Sequence, residues 1–332
     1  MRGRFAPSPT GPLHLGNLRT ALAAWLFARA DGSEFLVRME DLDAAVARPE
    51  HEAGQLADLA ALGLDWDGPV VRQSDRDERY AAAIAGLADR GLVYECYCTR
   101  REIQSAASAP NGGGFTGDQA APDGAYPGTC RALTATERRA RRESGRRPAL
   151  RLRSDNASVS VVDRLLGGGD PADGDGSPWC RPGSFTGVVD DVVLRRNDGA
   201  YAYNLAVVVD DAAQDVEEVV RGDDLLSSTP RQAHLAGALG LSVPAYAHVP
   251  LVLAPDGSRL AKRHGAVTLA DRRARAEEPA TVLSMLAASL GLLAVGEHVT
   301  TAADLVDSFD ADRLPIALWR TPWVLSAASV AR

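Results

Sequence analysis

The first 95 residues alternate between short apolar runs and longer stretches with helical spacing. Residues 4–6 read as the end of a short strand, stopped by Pro7 and Pro9. From 17 to about 30, Leu18, Leu22, Trp25 and Leu26 repeat on one helical face, and Asp31-Gly32 closes the helix. Phe35–Met39 is a short apolar run that predicts a buried strand. Residues 49–62 and 77–88 are amphipathic helices, each followed by a glycine, Gly63 and Gly91. Strand and helix in alternation predict an α/β fold with a parallel sheet.

The pattern changes between Cys96 and about Arg196. Residues 105–128 are rich in Ala, Gly, Ser and Pro, and 167–178 read GGGDPADGDGSP; both predict loops. Residues 131–153 carry nine Arg against two Glu. Beyond them, 206–209, 218–220 and 249–253 are strand-like and 230–239 is helical. Residues 265–332 predict a mostly helical unit, and no internal repeat is present.

Composition narrows the class without choosing a function. Hydrophobic residues make up 45% and charged residues 24%, which argues against disorder over most of the chain. No apolar run reaches the ~18 residues of a membrane span, so no membrane partner is expected. The first residues, MRGRFAPSPTG, lack an apolar targeting stretch, and a cytoplasmic location is expected. Four unevenly spaced cysteines (Cys96, Cys98, Cys130 and Cys180) do not make a disulfide scaffold. The net charge of −8 excludes a general polycation but not a local phosphate-binding patch. Of 36 basic residues, 35 are Arg and one, Lys262, is Lys. A lone Lys in an Arg-rich chain marks a position where Arg does not serve.

Two segments suit phosphate chemistry. In Pro12-Leu13-His14-Leu15-Gly16-Asn17, a helix start offers free N–H groups and partial positive charge, Gly16 allows close backbone approach, and His14 adds a donor. In Arg259-Leu260-Ala261-Lys262-Arg263-His264-Gly265, a loop after an Asp256-Gly257 turn carries several cations. Lys is a compact point charge that can follow a phosphate as it moves, whereas Arg is a broad fork.

These segments, with Arg4-Phe5-Ala6-Pro7-Ser8-Pro9-Thr10-Gly11, resemble the signatures of class I glutamyl-tRNA synthetases. The family's HIGH motif is matched by HLGN and its KMSKS motif by RLAKR. Residues 38–43 (RMEDLD), 203–211 (YNLAVVVDD) and 220–225 (VRGDDL) are similar as well, so the resemblance covers about residues 4–265 in the family's order. It implies a class I Rossmann-type nucleotide-binding fold, with an inserted zinc-bearing acceptor-type domain and a small C-terminal helical unit. The expected division is 1–95 and 197–255 for the two Rossmann halves, 96–196 for the insertion, and 256–332 for the loop and helical unit.

The resemblance also implies site roles. Arg4, Phe5, Ala6, Pro7 and Ser8 line a glutamate pocket; Glu40 takes the α-ammonium; Tyr203 and Arg221 close the pocket, with Arg221 facing the side-chain carboxylate. His14, Gly16, Asn17 and Lys262 contact ATP, with His14 and Lys262 catalytic and Mg²⁺ accompanying the nucleotide. Two departures stand out: Ala261 replaces a common Ser and Arg259 a common Lys, so a hydroxyl donor to the phosphates is lost.

Cys96-x-Cys98 followed by Tyr126-x-x-x-Cys130 offers three thiolates to a zinc ion, which favours four ligands in a tetrahedron. No His lies between residues 52 and 233, so chemistry alone leaves Asp123 or water as the fourth. The resemblance points to Tyr126 instead, because the truncated paralogues of the family, the glutamyl-Q tRNA(Asp) synthetases, share this Cys-x-Cys…Tyr-x-x-x-Cys pattern. Cys180 is left over as a lone thiol.

Only 68 residues, 265–332, remain after the RLAKRH segment, too few for an anticodon-binding domain of about 100 residues. That favours the paralogue group. It implies activation of L-glutamate by ATP without tRNA, then transfer to queuosine at the wobble position of tRNA(Asp), by a monomer. The alternatives are charging of tRNA(Glu), adenylation of a small metabolite, and a non-catalytic glutamate or tRNA binder. The Arg-rich stretch 131–153 is a candidate for RNA backbone contact.

Overall fold

The computed structural model describes residues 2–107, 125–168, 178–260, 264–265, 267–294 and 296–327. Much of the two predicted loops, Asp123, and Lys262 with its neighbours Ala261 and Arg263 lie outside these residues.

The chain begins with β1 (Gly3–Phe5), α1 (Leu15–Ala30), β2 (Phe35–Met39), α2 (Pro49–Ala61), β3 (Val71–Arg72) and α3 (Asp77–Asp89). Then come β4 (Val93–Cys96), α4 (Arg100–Ala107), α5 (Ala135–Glu143), β5 (Ala149–Leu152), β6 (Ala157–Gly167), β7 (Arg181–Val189) and β8 (Val193–Arg195). The second half holds α6 (Tyr203–Ala213), β9 (Glu218–Gly222), α7 (Thr229–Leu239), β10 (Ala245–Val249) and β11 (Val252–Leu253). It ends with α8 (Leu269–Ala274), α9 (Pro279–Ser289), α10 (Ile316–Trp319) and β12 (Trp323–Val324).

Seven strands form one sheet in the order β3-β2-β1-β9-β10-β6-β7. All its pairings are parallel except the β6–β7 hairpin, which continues the main sheet through β10 although it falls inside the stretch expected as an insertion. A separate antiparallel sheet, β4-β5-β8, carries Cys96 at the end of β4.

In the second half of the chain three sequence expectations change. Residues 206–209, read as a strand, lie in α6, where Leu205 to Val209 are all buried. A short apolar run buried on every side has no periodicity to separate helix from strand. The run 249–253 is divided at Pro250, which has no N–H for a ladder: β10 pairs with β9, and β11 with β12. Residues 265–332 are less helical than expected: among the described residues they hold α8, α9, α10, a 3₁₀ turn at Ala302–Leu305 and β12.

Helix α1 was expected to bury one face and instead buries nearly all of them, from Leu15 and Leu18 through Trp25, Leu26 and Phe27. It is packed against the sheet on one side and the C-terminal segment on the other. Phe27 meets Phe309 and Trp319 edge-on, at ring centroid distances of 5.2 and 6.0 Å. Arg19, 1% exposed, donates from this helix to Ser289 Oγ, Pro250 O, Ser289 O and Leu318 O at 3.0–3.3 Å. One side chain thus ties α1 to α9, to α10 and to the β10–β11 connection. Arg19→Met should leave those carbonyls unpaired and cost about 2–4 kcal/mol. Urea unfolding checks this, and an unchanged midpoint contradicts it.

Candidate active site and metal centre

A cleft of about 880 Å³ opens at the carboxyl ends of β1, β2 and β9, where the strand order reverses between β1 and β9. Such crevices are the usual ligand sites of open parallel sheets, because loops and helix starts converge there. All eight residues expected for the amino-acid pocket line it: Arg4, Phe5, Ala6, Pro7, Ser8, Glu40, Tyr203 and Arg221. His14, Gly16 and Asn17 line the same cleft, as do Arg259 and Leu260 of the RLAKR segment.

Behind the pocket the charges are paired. Asp211 Oδ1 accepts from Arg4 Nε at 3.2 Å and from Arg38 Nη1 at 2.7 Å. Asp210 accepts from Gln73, Arg76 and the Tyr80 hydroxyl at 3.0, 2.5 and 2.7 Å. Burial alone would raise the Asp211 carboxyl, but Arg4 and Arg38 outweigh it and hold it below the usual range. Glu40 shows the opposite balance. Its Oε1 lies 3.6 Å from Arg38 Nη2, and burial pushes its carboxyl up despite Arg38 and Arg4. Such a group gains a full counter-ion by accepting an ammonium from a ligand. Burial also raises Tyr203, which stays a neutral phenol. Arg221, 4% exposed, is held by the neutral groups His248, Gln232 and Thr229.

The start of α1 lies two residues earlier than the apolar repeat suggested. His14 is its N-cap: Nδ1 accepts from Asn17 N at 3.2 Å, while Asn17 Oδ1 accepts from His14 N at 3.1 Å. Burial lowers the His14 pKa, so the ring is neutral and carries its proton on Nε2 as a donor. Gly16 has a further role that the sequence did not suggest. A Cβ there would lie 2.9 Å from His14 Cε1, so the missing side chain makes room for the capping ring. Gly16→Ala should displace that ring and weaken ATP binding about tenfold, while the urea midpoint moves by less than about 1 kcal/mol. Unaltered ATP affinity in the variant would show that the ring has room to spare.

Arg259 pairs with Asp224, and both line the same cleft as His14.

Cys96, Cys98 and Cys130 come together, with their sulfur atoms all within 4.8 Å of one another. A tetrahedral zinc with bonds near 2.3 Å places its sulfurs about 3.8 Å apart, so the donor set fits that metal. Hydrogen bonds from Cys130 and Cys98 hold the Cys96 thiol far below its usual pKa. Tyr126, 1% exposed, has its hydroxyl 3.9 Å from Cys98 Sγ. That oxygen accepts from Cys130 N at 2.7 Å, and the Arg151 guanidinium sits 3.8 Å over the ring. Cys180 is distant from this group in the fold, buried beside the C-terminal segment, and burial pushes its thiol up to about 11.

Sequence reasoning missed the residues that hold the pocket in place. Gln55, 1% exposed, donates to Ser8 O and Gly11 O at 3.0 and 2.7 Å and fixes the loop after β1. Arg38, Asp210 and Asp211 form the buried charge cluster. Their signal was present as a charge inside each apolar run, but nothing in the spacing pairs residue 38 with residue 211.

The sequence of the chain matches the family of tRNA synthetases class I (E and Q), catalytic domain, over residues 1–320. It is 58% identical over 324 residues to a glutamyl-Q tRNA(Asp) synthetase of Nocardia farcinica, covering 98% of this chain and 93% of that protein. A glutamyl-Q tRNA(Asp) synthetase of Symbiobacterium thermophilum is 47% identical, with 96% and 95% covered. Among solved structures, a glutamate tRNA ligase of Elizabethkingia meningosepticum in complex with its amino acid superposes with a TM-score of 0.77 at 26% identity. That match covers 99% of this chain and 68% of the other. The cleft at the strand ends, the HLGN helix start and these likenesses agree, and the chain belongs to the class I tRNA synthetases of the E and Q branch, an ATP-using ligase family.

Proposed function

We propose that this chain activates L-glutamate with ATP in the absence of tRNA, forming glutamyl-adenylate, and then transfers glutamate to queuosine at the wobble position of tRNA(Asp). One observation carries the first half: the amino-acid pocket and the α1 start open into a single cleft. The second half is supported by relatives that bear that name and are matched over 93–95% of their length.

In this reading Glu40 takes the α-ammonium and Arg221 the side-chain carboxylate, in a pocket walled by Arg4 to Ser8 and Tyr203. The α-carboxylate is left facing the α-phosphorus of ATP and attacks it in line. The His14 Nε2–H and the N–H groups of the first turn of α1 stabilise the charge that develops on phosphorus. Lys262 holds the departing pyrophosphate; Mg²⁺ bound with the nucleotide would neutralise part of its charge. No covalent enzyme intermediate is needed.

The β4-β5-β8 sheet with the cysteine cluster and α5 serves, in this reading, as the inserted acceptor-type unit. Its arginines divide the work. Arg131, Arg142 and Arg146 are engaged with Asp191, Glu95 and Glu102. Arg141 and Arg147 are exposed and, with Arg139, which pairs with Glu143 along α5, form the surface offered to an RNA backbone.

The transfer is tested with labelled glutamate on queuosine-bearing tRNA(Asp), queuosine-free tRNA(Asp) and tRNA(Glu). Alkali-labile label on the first alone is expected. Equal labelling of the second, or good labelling of tRNA(Glu), overturns the queuosine assignment and leaves activation standing. Activation has its own test: Lys262→Ala should abolish most glutamate-dependent ATP–pyrophosphate exchange without tRNA while glutamate binding persists. Exchange at the original rate would refute the role of Lys262, and Lys262→Arg should also be impaired.

Zinc bound by Cys96, Cys98, Cys130 and Tyr126 would cross-link β4 to the segment before α5, a structural role. Metal analysis of protein purified without chelators should find about one zinc per chain, and Cys98→Ser should release it. Finding none removes the site; full affinity in Tyr126→Phe would assign the fourth position to Asp123 or water.

A further inference from the structure

Arg221 differs from the other arginines in and behind the cleft in the company it keeps. Arg4, Arg38 and Arg76 each meet a carboxylate, on Asp210 or Asp211. Arg221 instead donates from Nε to His248 Nε2 at 3.1 Å, from Nη1 to Gln232 Oε1 at 2.8 Å, and from Nη2 to Thr229 Oγ1 at 2.8 Å. A longer contact runs from Nη2 to Leu225 O at 3.5 Å; all four acceptors are neutral, and the guanidinium carries one N–H more than they use.

These contacts fix the state of His248. A guanidinium can only donate, so the facing Nε2 must be a bare acceptor and the ring proton must lie on Nδ1. Nδ1 is 2.6 Å from Asp163 Oδ2, which also accepts the His248 backbone N–H at 2.9 Å. Asp163 Oδ1 accepts from Leu165 N at 2.8 Å. Both side chains are fully buried. Burial holds the imidazole below its usual pKa against the hydrogen bond it donates to Asp163, and Arg221 adds to the effect, so the ring stays neutral. The register explains how the three meet: His248 pairs with Arg221 across β10–β9, and Tyr246 pairs with Asp163 across β10–β6.

A carboxylate placed directly on Arg221 would spend its charge on the protein. A neutral imidazole between the two fixes the guanidinium and keeps the anion one ring away. We infer that Asp163 and His248 are positioning residues which aim Arg221 into the cleft with its charge unpaired, and so set the preference for an amino acid ending in a carboxylate over the corresponding amide. The inference rests on the reading of Arg221 as the residue that meets the ligand's side-chain carboxylate.

The test is calorimetric binding of glutamate, glutamine and ATP to the full chain and its variants. Arg221→Lys should lose the preference for glutamate. His248→Leu should lower it about 10- to 100-fold, the value of a hydrogen bond to a charged group, with ATP binding unchanged. His248→Gln, which can offer an amide oxygen where Nε2 stood, should keep most of it. If Arg221→Lys loses the preference and His248→Leu keeps it, the positioning role falls and the reading of Arg221 stands. If Arg221→Lys keeps it, both fall. Equal loss of ATP binding in His248→Leu would reduce the residue to a structural role and overturn the inference. A histidine ¹⁵N spectrum of the unaltered protein serves should the variants fail to fold. His248 protonated on Nδ1 supports the proposal, and protonation on Nε2 overturns it.

Discussion

Two adjacent carboxylates, Asp210 and Asp211, are buried on α6, and each is paired there with cations brought from elsewhere in the chain. A buried carboxylate without partners costs several kcal/mol, so these pairings are a condition of the fold. They bind α6 to β1 through Arg4, to β2 through Arg38 and to α3 through Arg76. The two halves of the parallel sheet are thereby locked in one register around the crevice. The cost is visible in Arg38, whose Nε and Nη2 are buried with no hydrogen-bond acceptor.

That cluster also partitions the charges of the site. Arg4 in the pocket wall and Arg38 behind it are paired with Asp211, burial outweighs the arginines around Glu40, and Arg221 is held by neutral acceptors. The cleft therefore offers one unspent anion-seeking group and one cation-seeking group, which suits a ligand carrying both an ammonium and a second carboxylate. The nucleotide side is arranged by different means. Reciprocal capping by His14 and Asn17 and the space left by Gly16 turn a helix start into a donor cradle. Arg19 then fixes that helix to the C-terminal segment.

Much of this was legible in the sequence at the level of motifs. The eight pocket residues were named from the resemblance of their motifs to a known family, the HLGN helix start from its residue types as well, and they line one cleft. The cysteines were grouped by spacing, and their sulfurs converge. What could not be read was how distant residues support one another. Residues 206–209 looked like a strand because a run buried on all sides carries no period. Arg38 and Asp211 are 173 positions apart, and only the β1–β2–β9 topology brings them to 2.7 Å. His248 gave no signal of its own, because its role comes from the strand register that sets it beside Arg221.

The division of charge between the paired arginines and Arg221 is tested most directly by a crystal structure with glutamate and a non-hydrolysable ATP analogue bound. The account predicts the side-chain carboxylate on Arg221 and the α-ammonium on Glu40. It also predicts that Arg4 and Arg38 stay on Asp211, with the α-carboxylate facing the nucleotide's α-phosphorus beside His14. A glutamate bound the other way round, or an Arg4 that leaves Asp211 to take the side-chain carboxylate, would contradict it.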